Sequence, residues 1–133
     1  MIKDYRNIWI VSLIVVYSIV FFYKKLKGIF LDELILFHFM LSGIMLLILS
    51  NKKINMLMEY LKQNYFQKWE YLNTYPIFGR GFVNAYRVYK FARNKDNFED
   101  QKLLELKKEL IELKNFSYIV LFSPILGIIA SNL

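Results

Sequence analysis

Three long stretches of this chain are apolar and carry no acidic or basic residue except one histidine, and they restrict the fold more than any other feature. They cover residues 8–23, 34–50 and 116–133. At about 1.5 Å per residue, helices of these lengths cover about 24 to 27 Å, slightly less than the ~30 Å hydrocarbon core of a bilayer. Flanking residues lengthen the first two stretches, so each of the three predicts a transmembrane helix.

Composition separates these stretches from a basic middle region. The 133 residues leave room for one domain, and 56% of them are hydrophobic. The net charge of +7 favours anionic partners such as nucleic acid, acidic proteins or an anionic bilayer surface. Because the same chain carries membrane spans, we favour the bilayer over nucleic acid. The chain has no cysteine, which excludes disulfides and thiolate metal sites.

Lys and Arg residues near the span ends predict the orientation, since the cytoplasmic flanks of membrane proteins are enriched in them. With a cytoplasmic N-terminus, ten such residues flank the spans on the cytoplasmic side and three on the other side. This count predicts a multi-pass protein of the plasma (inner) membrane with its C-terminus outside. No small-residue cleavage site follows the first span, so we interpret that span as a retained signal anchor.

The middle region has the three-and-four spacing of amphipathic helices. Its first apolar stripe predicts one helix and consists of Ile54, Leu57, Met58, Leu61, Tyr65, Trp69 and Leu72. A loop is predicted over residues 79–81. A second helix, predicted over residues 82–93, has such a narrow polar stripe that it must bury more than half its circumference against partner helices or acyl chains.

A third helix is predicted to start at Asn97, because the segment from Asp96 to Glu99 resembles a capping box. Its leucines alternate at three and four residues and are Leu103, Leu106, Leu110 and Leu113. No helix breaker precedes the last apolar stretch, so we expect one long helix that bends at Pro124. We expect its leucines to pack on the stripe from Ile54 to Leu72.

The predicted fold class is an all-α membrane protein with three transmembrane helices and a cytoplasmic amphipathic helical hairpin. A transmembrane hairpin occupies residues 1–50, with spans at about 8–23 and 34–50. A basic, aromatic cytoplasmic region occupies residues 51–115. The C-terminal transmembrane helix occupies residues 116–133.

Over roughly residues 34–133 the chain resembles a family of small bacterial inner-membrane proteins. The matching segments are Leu61-Lys62, Trp69–Leu72, Pro76–Phe78, Tyr86–Phe91 and Asp96–Asp100. In these segments the chain resembles proteins related to universal stress protein B, which join two spans by a short charged helical region. The resemblance implies a plasma-membrane protein with no defined activity, and the span at residues 8–23 departs from the two-span pattern.

His38, the only histidine, is predicted to lie about one turn inside the second span. An antiparallel pairing of the first two spans brings Tyr17 and Ser18 near its depth. One interpretation is a neutral imidazole that forms a hydrogen bond across this hairpin. The other is a proton-relay or ligand-binding role, because ionisable groups within membranes are often functional.

Basic residues alternate with aromatic residues around the second predicted helix. Single-stranded nucleic-acid sites combine such residues, but so do helices at a membrane surface, which the spans favour. The candidate lipid or partner contacts are Arg80, Arg87, Lys90, Arg93, Lys95 and Trp69.

No Walker loop, nucleophile elbow, histidine pair or zinc-ligand spacing occurs in the sequence, so we predict no catalytic, cofactor-binding or metal-binding residues and no cofactor. The predicted function is a non-enzymatic interaction or regulatory component whose cytoplasmic helices contact a partner protein or anionic lipid. The alternative is a membrane-permeabilising protein of the holin or toxin type. The sequence leaves the partner and the oligomeric state open.

Overall fold

Five α-helices make up most of the chain in this computed structural model, which describes residues 2–23, 29–75, 79–80, 83–94 and 99–132. In chain order the elements are α1 Ile2–Tyr23, α2 Ile29–Asn64, α3 Phe66–Leu72, β1 Thr74–Tyr75, β2 Gly79–Arg80, α4 Ala85–Arg93 and α5 Gln101–Asn132. The predicted all-α class is confirmed. At residues 79–80, however, the predicted loop is a strand, because β1 and β2 pair in an antiparallel ladder.

The chain divides into two compact units. Unit 1 comprises Met1–Leu47 and Asn115–Leu133, and unit 2 comprises Ile48–Lys114. The two long helices, α2 and α5, each contribute residues to both units, whereas α3 and α4 lie wholly in unit 2.

Unit 2 has an apolar core that four helices build together. The core residues are Ile54, Leu57, Met58, Leu61, Leu72, Val88, Ala92, Leu103, Leu106 and Leu110. They combine the first predicted stripe with the leucines of α5, so the predicted packing between these two sets is confirmed. Since burying one leucine side chain stabilises by roughly 1.5 to 3 kcal/mol, this packing is the main source of stability in unit 2.

Two polar contacts show that α2 and α5 run antiparallel within unit 2. Lys53 Nζ donates to Glu109 Oε2. Further along α2, the hydroxyl of Tyr60 donates to Asp100 Oδ2 at 2.7 Å. The residue number rises along α2 between these contacts and falls along α5, which requires opposite helix directions. Lys53 is buried, so loss of Glu109 would leave a buried ammonium group without its partner carboxylate.

The apolar stripe from Ile54 to Leu72 lies on two helices, and the predicted single helix is wrong. α2 ends at Asn64 and α3 begins at Phe66, while the intervening Tyr65 has a φ of −141° and a ψ of 58°. Neither Gly nor Pro marks this break in the sequence. The hydroxyl of Tyr65 reaches the α5 terminus and donates to a carboxylate there, a tertiary contact that the stripe's spacing does not encode.

The predicted start of α4 near Phe82 is also too early, because Asn84 acts as the helix N-cap. The Asn84 Oδ1 atom accepts the backbone N–H of Arg87 at 3.1 Å, and α4 then begins at Ala85. Asn84 also donates its own backbone N–H to the Leu72 carbonyl at 3.0 Å. These two bonds satisfy polar groups of Asn84, and the residue can therefore be buried.

Asp100 caps the N-terminus of α5, so the predicted helix start at Asn97 is wrong. Its Oδ1 atom accepts the backbone N–H of Leu103 at 3.0 Å, and the helix begins at Gln101. Glu99 and Asp100 lie before the helix, and residues 96–98 of the predicted capping box lie outside the described residues.

The Asp100 carboxylate accepts hydrogen bonds from the backbone of α5 and from two tyrosine hydroxyls. Besides the Leu103 N–H, the hydroxyls of Tyr60 and Tyr65 donate to its Oδ2 atom at 2.7 and 2.9 Å. The Leu103 bond is the largest cause that lowers the pKa of Asp100 below its usual 3.8, followed by the Tyr60 bond. The bonds to Asp100 likewise raise the pKa of both tyrosines above 10.0.

We expect the variant Asp100→Asn to lower the melting temperature of the full chain in detergent near neutral pH. A lowered carboxyl pKa in the folded state contributes stability above the unfolded value of 3.8, and this stability is lost as the pH falls through the folded pKa. The difference from wild type should therefore shrink below pH 3.8, as measured by circular dichroism. Glu105→Gln, at an exposed carboxylate of the same helix, is the control. A difference independent of pH would contradict the expectation.

Candidate functional site

The outer face of α4 carries one aromatic and two basic side chains. Tyr86, Lys90 and Arg93 are all exposed and follow one another at four and three residues, so they lie on one face. Tyr86 has 75% of its surface exposed, the highest value among the exposed large hydrophobic residues. We call these three residues the α4 face. An exposed tyrosine followed by two cations on one helix face suits contact with an anionic surface.

Arg87, a predicted lipid or partner contact, binds within unit 2. Its Nη1 atom donates to the carbonyls of Tyr71 and Thr74 at 3.2 Å each. Its guanidinium carbon lies 4.6 Å from the centroid of the Tyr71 ring. Because these carbonyls lie near the C-terminal, negative end of α3, a cation is favourable there. The contacts give Arg87 a structural role that joins α4 to α3.

The other predicted contacts divide into three groups. Trp69 is partly buried against the unit 2 core. The side chain of Arg80 and all of Lys95 lie outside the described residues. Lys90 and Arg93 are exposed, and the structure brings these two together on the α4 face.

Trp9 joins all three helices of unit 1. Its indole ring is buried and packs edge-on against Phe116 of α5, with 5.2 Å between ring centroids. Its Nε1 atom donates to Ser42 Oγ of α2 at 2.9 Å. Ser42 Oγ in turn donates to the His38 carbonyl at 2.7 Å. One side chain of α1 therefore contacts both α2 and α5.

His38 forms its cross-helix hydrogen bond with Ser12, which the sequence interpretation missed. The two atoms, His38 Nε2 and Ser12 Oγ, lie 2.9 Å apart. Ser12 also donates its hydroxyl proton to the Trp9 carbonyl at 2.8 Å. Because a hydroxyl group has one proton to donate, both bonds of Ser12 are satisfied together when His38 carries a proton on Nε2. No signal in the sequence of α1 or α2 alone places Ser12 opposite His38.

Tyr17, one of the two residues predicted near the depth of His38, packs against Ile35, about one turn before His38 on α2. The hydroxyl of Tyr17 donates to the Ser123 carbonyl of α5, and Ser18 is exposed. His38 therefore forms a hydrogen bond between α1 and α2 with Ser12, while the hydroxyl of Tyr17 joins α1 to α5.

Pro124 interrupts the backbone hydrogen bonds of α5, and its neighbours compensate. Proline has no N–H, so the Val120 carbonyl lacks its usual helical donor. The hydroxyl of Ser123 donates to that carbonyl at 2.7 Å. Among the described residues, every buried side-chain nitrogen or oxygen has a hydrogen-bond partner. The buried polar side chains of unit 1 therefore form hydrogen bonds within the protein.

Many of the large apolar side chains of unit 1 are exposed. Those with at least half of their surface exposed are Ile8, Val11, Ile14, Val15, Leu36, Phe37, Met40, Leu41, Ile44, Leu47, Ile119, Leu121, Phe122, Ile125 and Ile129. Among the described residues, one helix, Glu33–Asn64, is long and apolar enough to cross a bilayer, and 17% of its apolar window is buried. A core helix of a soluble protein would be mostly buried.

Comparison with known proteins found no family model, curated protein or solved structure that matches this chain. The resemblance to universal stress protein B stays a prediction from the sequence. Within the described part of the chain, no three or more His, Asp or Glu side chains are grouped as metal ligands would be.

We expect Ser12→Ala to weaken the packing of α1 on α2, because it removes the partner of His38 Nε2. Hydrogen bonds between membrane helices contribute on average about 0.6 kcal/mol and at most about 1.7 kcal/mol. The free energy of unfolding in mixed detergent micelles should fall by an amount in this range. Ser18→Ala, which removes an exposed hydroxyl from the same helix, should have no effect. Equal losses for both variants would show that the Ser12 contact is unimportant.

Proposed function

We propose that the chain is a small integral protein of the plasma membrane whose three long helices span the bilayer through unit 1. The observation that carries this proposal is the arrangement of unit 1, in which buried polar side chains form hydrogen bonds within the protein and many large apolar side chains are exposed. Such exposure of apolar surface is unfavourable in water and favourable against acyl chains. The apolar window in Glu33–Asn64 supports the same proposal.

Unit 2 lies in the cytoplasm in this proposal, with the N-terminus inside and the C-terminus outside. The asymmetry of ten against three flanking basic residues supports this orientation. Unit 2 contains thirteen Lys and Arg residues against eight Asp and Glu residues. It therefore carries most of the positive charge of the chain towards the anionic leaflet.

The proposed role of unit 2 is non-enzymatic contact with anionic lipid headgroups through the α4 face. Tyr86 suits the interface, since its ring is apolar and its hydroxyl polar, while Lys90 and Arg93 suit phosphate. An acidic partner protein is the alternative occupant of the same face. Each basic residue near an anionic leaflet contributes about 1 kcal/mol, so the two basic residues of the α4 face would hold it reversibly at the surface.

We expect the full chain to stay in the membrane fraction after extraction with alkaline carbonate. This treatment removes peripheral proteins, whereas helices in the hydrocarbon core are retained. A chain with Leu36→Lys, Met40→Lys and Ile44→Lys on the exposed face of α2 should insert poorly, since each lysine costs about 2.5 to 3.5 kcal/mol at the centre of a span. Release of the wild-type chain by carbonate would disprove the membrane proposal.

The absence of cysteine from the chain allows a single label to report contact at the α4 face. Val83→Cys, at a partly exposed residue next to α4, can carry a dye whose emission shifts to shorter wavelength near lipid. In nanodiscs we expect this shift with phosphatidylglycerol and not with phosphatidylcholine, and high salt should reverse it.

Lys90→Gln should reduce the shift of the dye, while Lys68→Gln, an exposed lysine on α3, is the control with the same change of charge. Identical emission in both lipid compositions would exclude the leaflet as the contact and leave an acidic partner protein.

A further inference from the structure

A groove of about 540 Å³ lies in unit 2 between the last turn of α4 and the first half of α5. Its apolar lining comes from Ala92 on α4 and from Leu104 and Ile111 on α5. Leu104 has 44% of its surface exposed. This volume is within the range of small-molecule sites.

The rim of the groove is basic. Arg93 and Lys108 are exposed, and Glu112 is the acidic residue of the lining. Beneath them, the buried side chain of Lys107 donates to the Asn94 carbonyl at 2.6 Å, so its charge is held at the groove. Three basic residues against one acidic residue leave the groove positively charged, which complements an anion.

The size and chemistry of the groove together specify its ligand. Protein–protein interfaces bring together about 20 to 30 residues from each side, many more than this groove provides. Apolar walls below a basic rim match a molecule with an anionic head and an apolar tail. In the proposed membrane location, the phospholipids around the apolar exterior of unit 1 are a local source of such molecules.

We propose that this groove binds one anionic phospholipid, with Arg93 and Lys108 contacting the phosphate and with Leu104 and Ile111 contacting the first acyl methylenes. The inference rests on the proposed membrane location and goes beyond it, because it assigns a discrete lipid site rather than a general attraction to the leaflet. Binding at this site holds α4 against α5 by bridging residues of both helices.

Native mass spectrometry of the full chain in non-ionic detergent measures the site directly, with phosphatidylglycerol and phosphatidylcholine as probes. We expect tighter binding of phosphatidylglycerol. The double variant Arg93→Gln/Lys108→Gln should bind it about 30-fold more weakly, given the usual contribution of two basic residues. The control Lys68→Gln/Lys102→Gln has the same net charge, changes exposed lysines away from the lining, and should bind as wild type does.

A second variant gives a gain that misfolding cannot produce. Glu112→Gln removes the acidic residue of the rim and should tighten phosphatidylglycerol binding about fivefold. Leu104→Gln should weaken it while leaving the basic rim intact. Inorganic phosphate at equal concentration should not displace the lipid, because phosphate lacks the apolar tail.

Three results would overturn the proposal. The first is equal affinity of the double variant and its control for phosphatidylglycerol. The second is displacement of the lipid by inorganic phosphate, which would make the groove a phosphate site. The third is selective binding of polyglutamate in place of lipid, which would make it a site for an acidic protein. Carbonate extraction of the same samples tests the membrane location separately, so failure of the groove and failure of the proposed function are distinguishable.

Discussion

A bilayer offers no water to a buried donor or acceptor, so a spanning helix must find partners for its polar groups inside the protein. In the membrane location that we propose for unit 1, this constraint accounts for the positions of its buried polar side chains. Trp9 Nε1 bonds to Ser42, and His38 bonds to Ser12. Ser123 supplies the donor that proline removes from its own helix. The small hydroxyl side chains therefore have a common purpose, since each can serve two partners while allowing helices to approach closely.

The long helices α2 and α5 each change their pattern of burial between the two units. In unit 2 they bury a narrow stripe that includes Leu61 and Leu110 and expose charged residues on the opposite side, as amphipathic helices in water do. In unit 1 the same helices expose many leucine, isoleucine and phenylalanine side chains and bury serine as well as Ile35, Leu46, Phe116 and Val120. This change in exposure follows the change in sequence composition from charge-free to charged. In our proposal each helix therefore meets two solvents, lipid along unit 1 and water along unit 2.

Periodicity and capping chemistry predicted the all-helical class and the packing of the α5 leucines on the first stripe, because both depend on patterns that are local in sequence. The errors arise where a tertiary contact decides. Tyr65 breaks the first stripe as its hydroxyl bonds to Asp100, and Asp100 rather than an earlier residue caps α5. In the candidate site, sequence reasoning identified His38 but not Ser12, since the register between two helices cannot be read from either helix alone. It also predicted Arg87 as a surface contact. The prediction failed because the carbonyls that bind Arg87 come from residues that only the tertiary fold brings close to it.

The density of basic residues in a sequence overstates the cationic surface that a fold presents. In unit 2, Lys53 is paired with a carboxylate, Arg87 bonds to backbone carbonyls, and Lys107 is buried beneath a helix end. Ammonium and guanidinium groups in such positions stabilise the fold. They do not leave their partners to bind an approaching anion, because they would exchange a fixed partner for a mobile one. The residues left for recognition are those with exposed charge, and among them Arg93 lies where the α4 face meets the groove. In our proposals, a general attraction to the leaflet and a discrete lipid site share the Arg93 guanidinium group, and the apolar lining of the groove adds a selectivity for lipid that charge alone does not supply.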